Sequence, residues 1–334
     1  MDVKEVVLPT EKERIAAFLD GFGLCYESNV DRTIYVEDDK GIIATLSASK
    51  NILKCLAIKG EYRSENLALT LVGDMIKRLH ADKIYGYKVF TKPEYIAVFS
   101  SLGFRLIVQT DKVAVMEGGE GDINCVIESM RVQMKYSLGA DSLNGGDIAC
   151  AVINGDPFTN GHLQLVEYAA ARHKYVLVFI VEEDCSYFTF KERFSMAYLA
   201  LKQISNALVL PSSEYVVSKA TFPAYFLKTA DETCEEYAKY DALIFEKYFM
   251  PRLGICKRYV GSETLDYMRI YNSTLQDVLK DRLEIVPRFA ENGEIISAGR
   301  VRALIKEGKK DEALEFLPRN NYSVIRSIIL NKHE

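Results

Sequence analysis

Glycine breaks this chain most densely between Glu117 and Gly146, and the rhythm of the sequence differs on the two sides of that break. Gly118, Gly119 and Gly121 alternate with acids, a short polar helix candidate follows, and Gly139, Gly145 and Gly146 come after it. Glycine enrichment of this kind marks connections rather than packed elements. The 334 residues therefore read as two domains, 1–117 and 147–334, with a linker at 118–146.

Before the break, a helix is expected at 11–19 and strands at 33–37, 42–47 and 52–58. Residues 63–79 carry Leu67, Leu71, Met75 and Leu79 at helical spacing. A strand at 83–87, a helix at 93–101 and strands at 105–109 and 113–116 complete a mixed α+β unit. After the break, strands at 148–153, 175–182, 207–210, 257–260 and 283–286 alternate with helices such as 161–172 and 191–204. Repeated strand–helix units imply an α/β fold with a parallel sheet covered on both faces, whose ligands bind at the carboxyl ends of the strands.

Composition narrows the function. Apolar residues make up 49% and charged residues 27%, an ordinary globular balance. The formal net charge of −5 lacks the basic footprint of a general nucleic-acid binder. The seven cysteines form no CxxC pair, which argues against zinc ribbons and thioredoxin-type sites and fits reduced thiols used for packing. His80, His173 and His333 have no second ligand at metal spacing and read as structural, so no metal site is expected. The charged N-terminus has no signal-peptide core, and the densest apolar run, 176–181, is far short of the ~20 residues that span a bilayer. A cytoplasmic protein that engages neither membrane nor nucleic acid is the expectation.

The end of the strand at 148–153 concentrates the chemistry. It runs into Asn154-Gly155-Asp156-Pro157-Phe158-Thr159-Asn160-Gly161-His162. Glycine and proline turn the chain, and Thr159 and His162 fall three apart where a helix begins, so both can face one point. Gly161 leaves room for close approach to the backbone, and a helix start favours phosphate. The plainer reading is that Thr159 caps the helix and His162 is a surface or core-edge side chain.

This run resembles the T/HxGH motif of the nucleotidyltransferase superfamily, which includes the phosphopantetheine and nicotinamide-mononucleotide adenylyltransferases. The superfamily's second signature, Ile-Ser-Ser-Thr-x-Ile-Arg, is matched near the C-terminus at Ile296, Ser297 and Arg302, with Val301 for isoleucine. Ala298 and Gly299 depart from it, leaving Ser297 and backbone amides as the implied phosphate donors. Val260-Gly261-Ser262-Glu263 is similar to the superfamily's Gly-x-Asp/Glu segment beside the nucleotide.

A narrower resemblance, to the citrate lyase ligase family, rests on residues 220–228, 258–263, Tyr271-Asn272 and 186–193, and covers essentially the whole chain. It implies an enzyme that uses ATP and acetate to acetylate the thiol of the phosphoribosyl-dephospho-coenzyme A group on citrate lyase's acyl carrier subunit, through acetyl-AMP and with release of pyrophosphate. It implies His162 and Thr159 at the reacting phosphate, and Asn154, Gly155, Phe158, Gly161, Gly261, Glu263, Ser297 and Arg302 around ATP. Lys191 and Arg193 become contacts for phosphate or for the acidic acceptor, and Mg²⁺ is expected on the polyphosphate. The alternatives are a nucleotide-cofactor adenylyltransferase and a non-catalytic nucleotide-binding regulator.

The first domain resembles the GNAT acetyltransferase fold. Its pyrophosphate loop corresponds to residues 63–68, where Arg63 and Ala68 fit, Asn66 stands in place of a glycine and Glu65 adds a negative charge. The added side chain and like charge imply weakened pyrophosphate binding, and hence a domain without acetyltransferase activity of its own that helps recognise the carrier's coenzyme-A-like arm.

Overall fold

The computed structural model describes residues 2–63, 66–139, 146–183, 185–216, 222–262, 266–287, 290–291, 294–319 and 322–331. The chain forms two compact units, Met1–Asp122 with Pro223–Glu236, and Ile123–Phe222 with Tyr237–Glu334.

The first unit is the expected α+β mixture. Its strands are β1 (Lys4–Glu5), β2 (Arg32–Asp38), β3 (Gly41–Ser49), β4 (Ile52–Ile58), β5 (Gly86–Thr91), β6 (Arg105–Gln109) and β7 (Ala114–Gly119). They form one sheet in the order β1–β2–β3–β4–β5–β7–β6. Neighbours are antiparallel except β4 and β5, which pair in parallel only at Ile52–Lys88 and Leu53–Val89. Helices α1 (Pro9–Asp20), α2 (Leu67–Ala81) and α3 (Ile96–Ser101) complete it. The four-residue spacing seen in the sequence becomes the buried stripe Leu67, Leu71, Met75 and Leu79, packed with Ile34, Val36, Leu46 and Leu53 of the sheet.

Three local expectations shift. The strand expected at 83–87 begins at Gly86 instead, because α2 runs on to Ala81 and is closed by Lys83 at φ 63° and by the Ile84 N–H donating to the Leu79 carbonyl. The helix expected at 93–101 is a 3₁₀ turn, Pro93–Tyr95, followed by α3. Gly118 and Gly119 belong to β7 rather than to a connection, opposite Tyr87 and Gly86. A Cβ on Gly118 would lie 2.6 Å from the Tyr87 ring, so these glycines serve close packing.

In the second unit, α4 (Ile123–Leu138) occupies much of the span read as a linker and buries Ile123, Ile127, Met130 and Met134. The sheet contains β8 (Ile148–Ile153), β9 (Tyr175–Ile180), β10 (Ala207–Pro211), β11 (Ile255–Gly261) and β12 (Leu283–Val286). The order β10–β9–β8–β11–β12 is parallel throughout, the Rossmann-like arrangement that strand–helix alternation predicts. From β8 the chain steps outward through β9 and β10, then returns to the other side of β8 for β11 and β12. The switch point therefore lies between β8 and β11, where an open α/β sheet leaves a crevice at its carboxyl ends.

Helices α5 (Asn160–Ala170), α6 (Phe190–Leu201), α7 (Ala230–Ile244), α8 (Met250–Leu253), α9 (Asp266–Leu279), α10 (Ala298–Lys306), α11 (Lys310–Glu315) and α12 (Tyr322–Leu330) follow in chain order. Leu165, Val166 and Ala169 of α5 and Val301 and Ile305 of α10 share one core with Ala149, Ala151 and Ile153 of β8. That shared core fixes the starts of α5 and α10 on the same sheet. Among the described residues, no helix is long and apolar enough to cross a membrane.

Candidate nucleotide site at the sheet switch point

Strand β8 ends at Ile153 and the chain reverses through Gly155, whose φ of +64° lies in the left-handed region that glycine favours. The Asp156–Pro157 peptide is cis. Phe158 is fully buried in the core, anchoring the turn from below, and its ring centroid lies 5.3 Å from that of His162. Thr159, also buried, is the extended residue before α5. Its backbone N–H donates to Nδ1 of His162 at 3.0 Å, and its hydroxyl oxygen lies 3.1 Å from the same nitrogen. Nδ1 is thus the ring's acceptor, and the neutral imidazole carries its proton on Nε2. Thr159 and His162 are brought together as their spacing predicts, with threonine orienting histidine. The helix-start amides are not all aimed at a ligand, because Asn160 N–H donates to the Phe316 carbonyl at 2.9 Å.

The second signature meets the first directly. Ser297 caps α10, its Oγ accepting from Arg300 N–H at 3.2 Å, which leaves the hydroxyl proton to donate. A Cβ on Gly161 would touch Ile296 at 3.6 Å, so the start of α5 lies against the residue before that cap. Arg302 Nη1 lies 3.3 Å from Oδ2 of Asp156 and also donates to the Asp156 carbonyl. Asp156 holds a second loop as well: Phe188 N–H donates to Oδ1 at 2.8 Å and Tyr187 N–H to Oδ2 at 3.2 Å. Sequence reasoning gave Asp156 no role, yet it ties the β8 turn, the 185–189 loop and α10 to one another. Its place in the Asp-Pro step of the motif was the available signal.

Arg193 departs from the expected phosphate or acceptor contact. It is fully buried, and its guanidinium donates to the carbonyls of Phe188 (3.1 Å), Asn154 (2.6 Å), Val181 (3.0 Å) and Glu183, and to the Asn154 side chain (2.8 Å). A cation enclosed in this way positions the loops after β8 and β9 and is not presented to a phosphate. Asn154 belongs to the same network through Oδ1, while its Nδ2 donates to Ser186 Oγ at 3.1 Å. Lys191 is exposed on the first turn of α6. Gly261 ends β11, and its carbonyl accepts from Asn272 Nδ2 at 3.0 Å. Glu263 lies outside the described residues.

The cysteines do not all pack. Cys55, Cys150 and Cys234 are buried, whereas Cys25, Cys125 and Cys185 are exposed. In the first unit, Asn66 takes φ 55°, so asparagine keeps the left-handed backbone that a glycine would supply there. Glu65 is outside the described residues.

A parallel sheet with its switch point between β8 and β11, and a Thr-x-Gly-His helix start against an Ile-Ser…Arg helix start, define a Rossmann-like unit of the nucleotidyltransferase type. Comparison with known proteins narrows this class. The family model described as citrate lyase ligase C-terminal domain matches residues 148–325. The chain is 33% identical over 303 residues to the citrate (pro-3S)-lyase ligase of Escherichia coli, covering 87% of this chain and 83% of that protein. It is 29% identical over 332 residues to the citrate (pro-3S)-lyase ligase of Klebsiella pneumoniae, covering 97% and 95%. A GNAT-family acetyltransferase structure from Staphylococcus aureus is 14% identical and covers 36% of this chain and 100% of that one, with a TM-score of 0.31. The chain belongs to the citrate lyase ligase family.

Proposed function

We propose that this enzyme is an AMP-forming acid–thiol ligase that activates citrate lyase. It activates acetate with ATP and passes the acetyl group to the thiol of the phosphoribosyl-dephospho-coenzyme A group on citrate lyase's acyl carrier subunit. Family membership supports the ligase activity, and the observation that carries the site is the joining of the two signatures through Asp156 and Arg302.

An acetate oxygen attacks the α-phosphorus, the bond from that phosphorus to the oxygen of the β-phosphate breaks, and pyrophosphate leaves. The carrier thiol then loses its proton, its sulfur attacks the acetyl carbonyl carbon, and AMP departs with the former carboxylate oxygen. Such a displacement needs alignment and charge stabilisation rather than a protein nucleophile. His162, held by Thr159 through Nδ1, donates from Nε2 to a phosphate oxygen. Ser297 and the start of α10 hold the β- and γ-phosphates, with Arg302 lending positive charge from its place on Asp156. Gly155, Gly161 and Gly261 keep the backbone close to the nucleotide, and Lys191 meets the acidic acceptor.

Mg²⁺ bound to the polyphosphate would offset its charge. The three-ligand cluster found among the described residues, Asp147, His173 and Cys256, includes a thiol and lies at the amino ends of the strands, which suits a softer ion. Residues 147–334 carry the adenylylation. Residues 1–117 recognise the carrier arm.

The test is exchange of labelled pyrophosphate into ATP with acetate, phosphopantetheine or nicotinamide mononucleotide as the only added acceptor. Acetate-dependent exchange supports the ligase. Exchange with a phosphate acceptor alone overturns it in favour of an adenylyltransferase, and no exchange with any acceptor favours a nucleotide-binding regulator.

A further inference from the structure

At the end of the parallel sheet opposite the nucleotide site, three side chains far apart in sequence converge. Asp147 immediately precedes β8, His173 lies two residues before β9 and Cys256 is the second residue of β11. Their ligand atoms all lie within 4.8 Å of one another. His173 Nδ1 is 2.7 Å from Asp147 Oδ1 and 3.8 Å from Cys256 Sγ. Sequence spacing gave His173 no partner because its partners arrive from two other strands.

Each group is aimed. The register between β11 and β8 shifts between Ile255 and Lys257, so Cys256 sits in a bulge that turns its Sγ to within 3.3 Å of the Ile148 carbonyl. Asp147 Oδ2 accepts from Lys174 N–H at 2.9 Å, leaving Oδ1 on the histidine. His173 Nε2 lies 2.9 Å from the Tyr259 hydroxyl. A carboxylate only accepts, so with no ion bound Nδ1 carries the proton shared with Asp147 Oδ1, and a dication takes that proton's place. The nitrogen turned towards Asp147 and Cys256 is Nδ1, and the Tyr259 hydroxyl behind Nε2 fixes the ring's orientation as in metal-bound histidines.

We propose that Asp147, His173 and Cys256 form a binding site for a borderline-soft dication of the Zn²⁺ type, with water completing a four-coordinate shell. Ligand atoms around tetrahedral Zn²⁺ stand ~3.3–3.6 Å apart. The His173–Cys256 separation is already close to this. The exposed Asp147 has to draw back from His173 by under about an ångström and close on Cys256 from within 4.8 Å to reach the same spacing. The mixed N/O/S set selects Zn²⁺ or Co²⁺ over Mg²⁺. Bound there, the ion ties together the amino ends of β8, β9 and β11. This site is independent of the nucleotide reading.

The experiment is titration of the full chain, stripped with chelator, with Co²⁺ followed by absorbance. One equivalent of Co²⁺ should produce a thiolate-to-cobalt charge-transfer band that Zn²⁺ bleaches. The band should vanish in Cys256→Ser and persist in Cys185→Ser, an exposed cysteine elsewhere. Tyr259→Phe, which removes only the hydroxyl behind the histidine, should weaken Co²⁺ binding about 10–100-fold. Absence of the band in the unaltered chain, or its survival in Cys256→Ser, overturns the site. Either result would leave Asp147 and His173 as a proton-bridged pair.

Discussion

Arg302 Nη1 stands 3.3 Å from the Asp156 carboxylate, joining the last signature of the chain to the first across 146 residues. The pair is partly buried and fixed on a core shared by β8, α5 and α10. Its contribution goes beyond a surface ion pair, because Asp156 also holds the 185–189 loop through two backbone amides. Residues in one such network couple. Arg302→Ala and Asp156→Asn should each slow acetate-dependent exchange, and the double variant should lose less than the sum by about 0.5–3 kcal/mol. A double-mutant cycle on the exchange rate reads this, and strict additivity would separate the two residues.

In the proposed reaction His162 acts where charge develops, so His162→Ala should lower the adenylation rate about 10²–10³-fold while ATP affinity, read by equilibrium binding, changes much less. Turnover equal to that of the unaltered enzyme would remove His162 from the mechanism.

Arg193 gives the opposite signature. Its donors satisfy carbonyls of residues 154, 181, 183 and 188, and Arg193→Met leaves these buried acceptors unpaired. The expected loss is ~2–4 kcal/mol of stability, measured by urea unfolding. A variant as stable as the parent but with a raised KM for ATP would restore Arg193 as a phosphate contact.

These residues show which parts of the structure the sequence reveals. Strand β6 and strand β12 coincide with their sequence-based spans because their signal is a short local run of apolar, largely β-branched residues. Thr159 and His162 are equally legible, lying three apart at a helix start. Arg193 was not, because its partners come from the turns after two different strands and nothing local distinguishes a buried cation from a solvated one. Gly118 and Gly119 misled for a related reason: they are small because the Tyr87 ring of the neighbouring strand crosses them, a packing demand invisible along the chain.

Cysteine reactivity should follow burial. Loss of solvation pushes the thiols of Cys55 and Cys150 up to about 12, and buried thiols stay protonated and unreactive well above neutral pH. Iodoacetamide at pH 8 should therefore label Cys25, Cys125 and Cys185 in the native enzyme and spare Cys55 and Cys150, with mass-spectrometric mapping as the readout. Raising the pH towards 12 should bring Cys55 and Cys150 into reach. Their rapid labelling at pH 8 would mean that the sheet interiors open readily.

In the proposed reaction an acetate oxygen attacks the α-phosphorus of ATP held between the starts of α5 and α10. Acetate labelled with ¹⁸O in both carboxylate oxygens, turned over with ATP and the thiol-bearing carrier, tests it most directly. AMP should gain one ¹⁸O atom and pyrophosphate none. Unlabelled AMP, or label in pyrophosphate or inorganic phosphate, would contradict it.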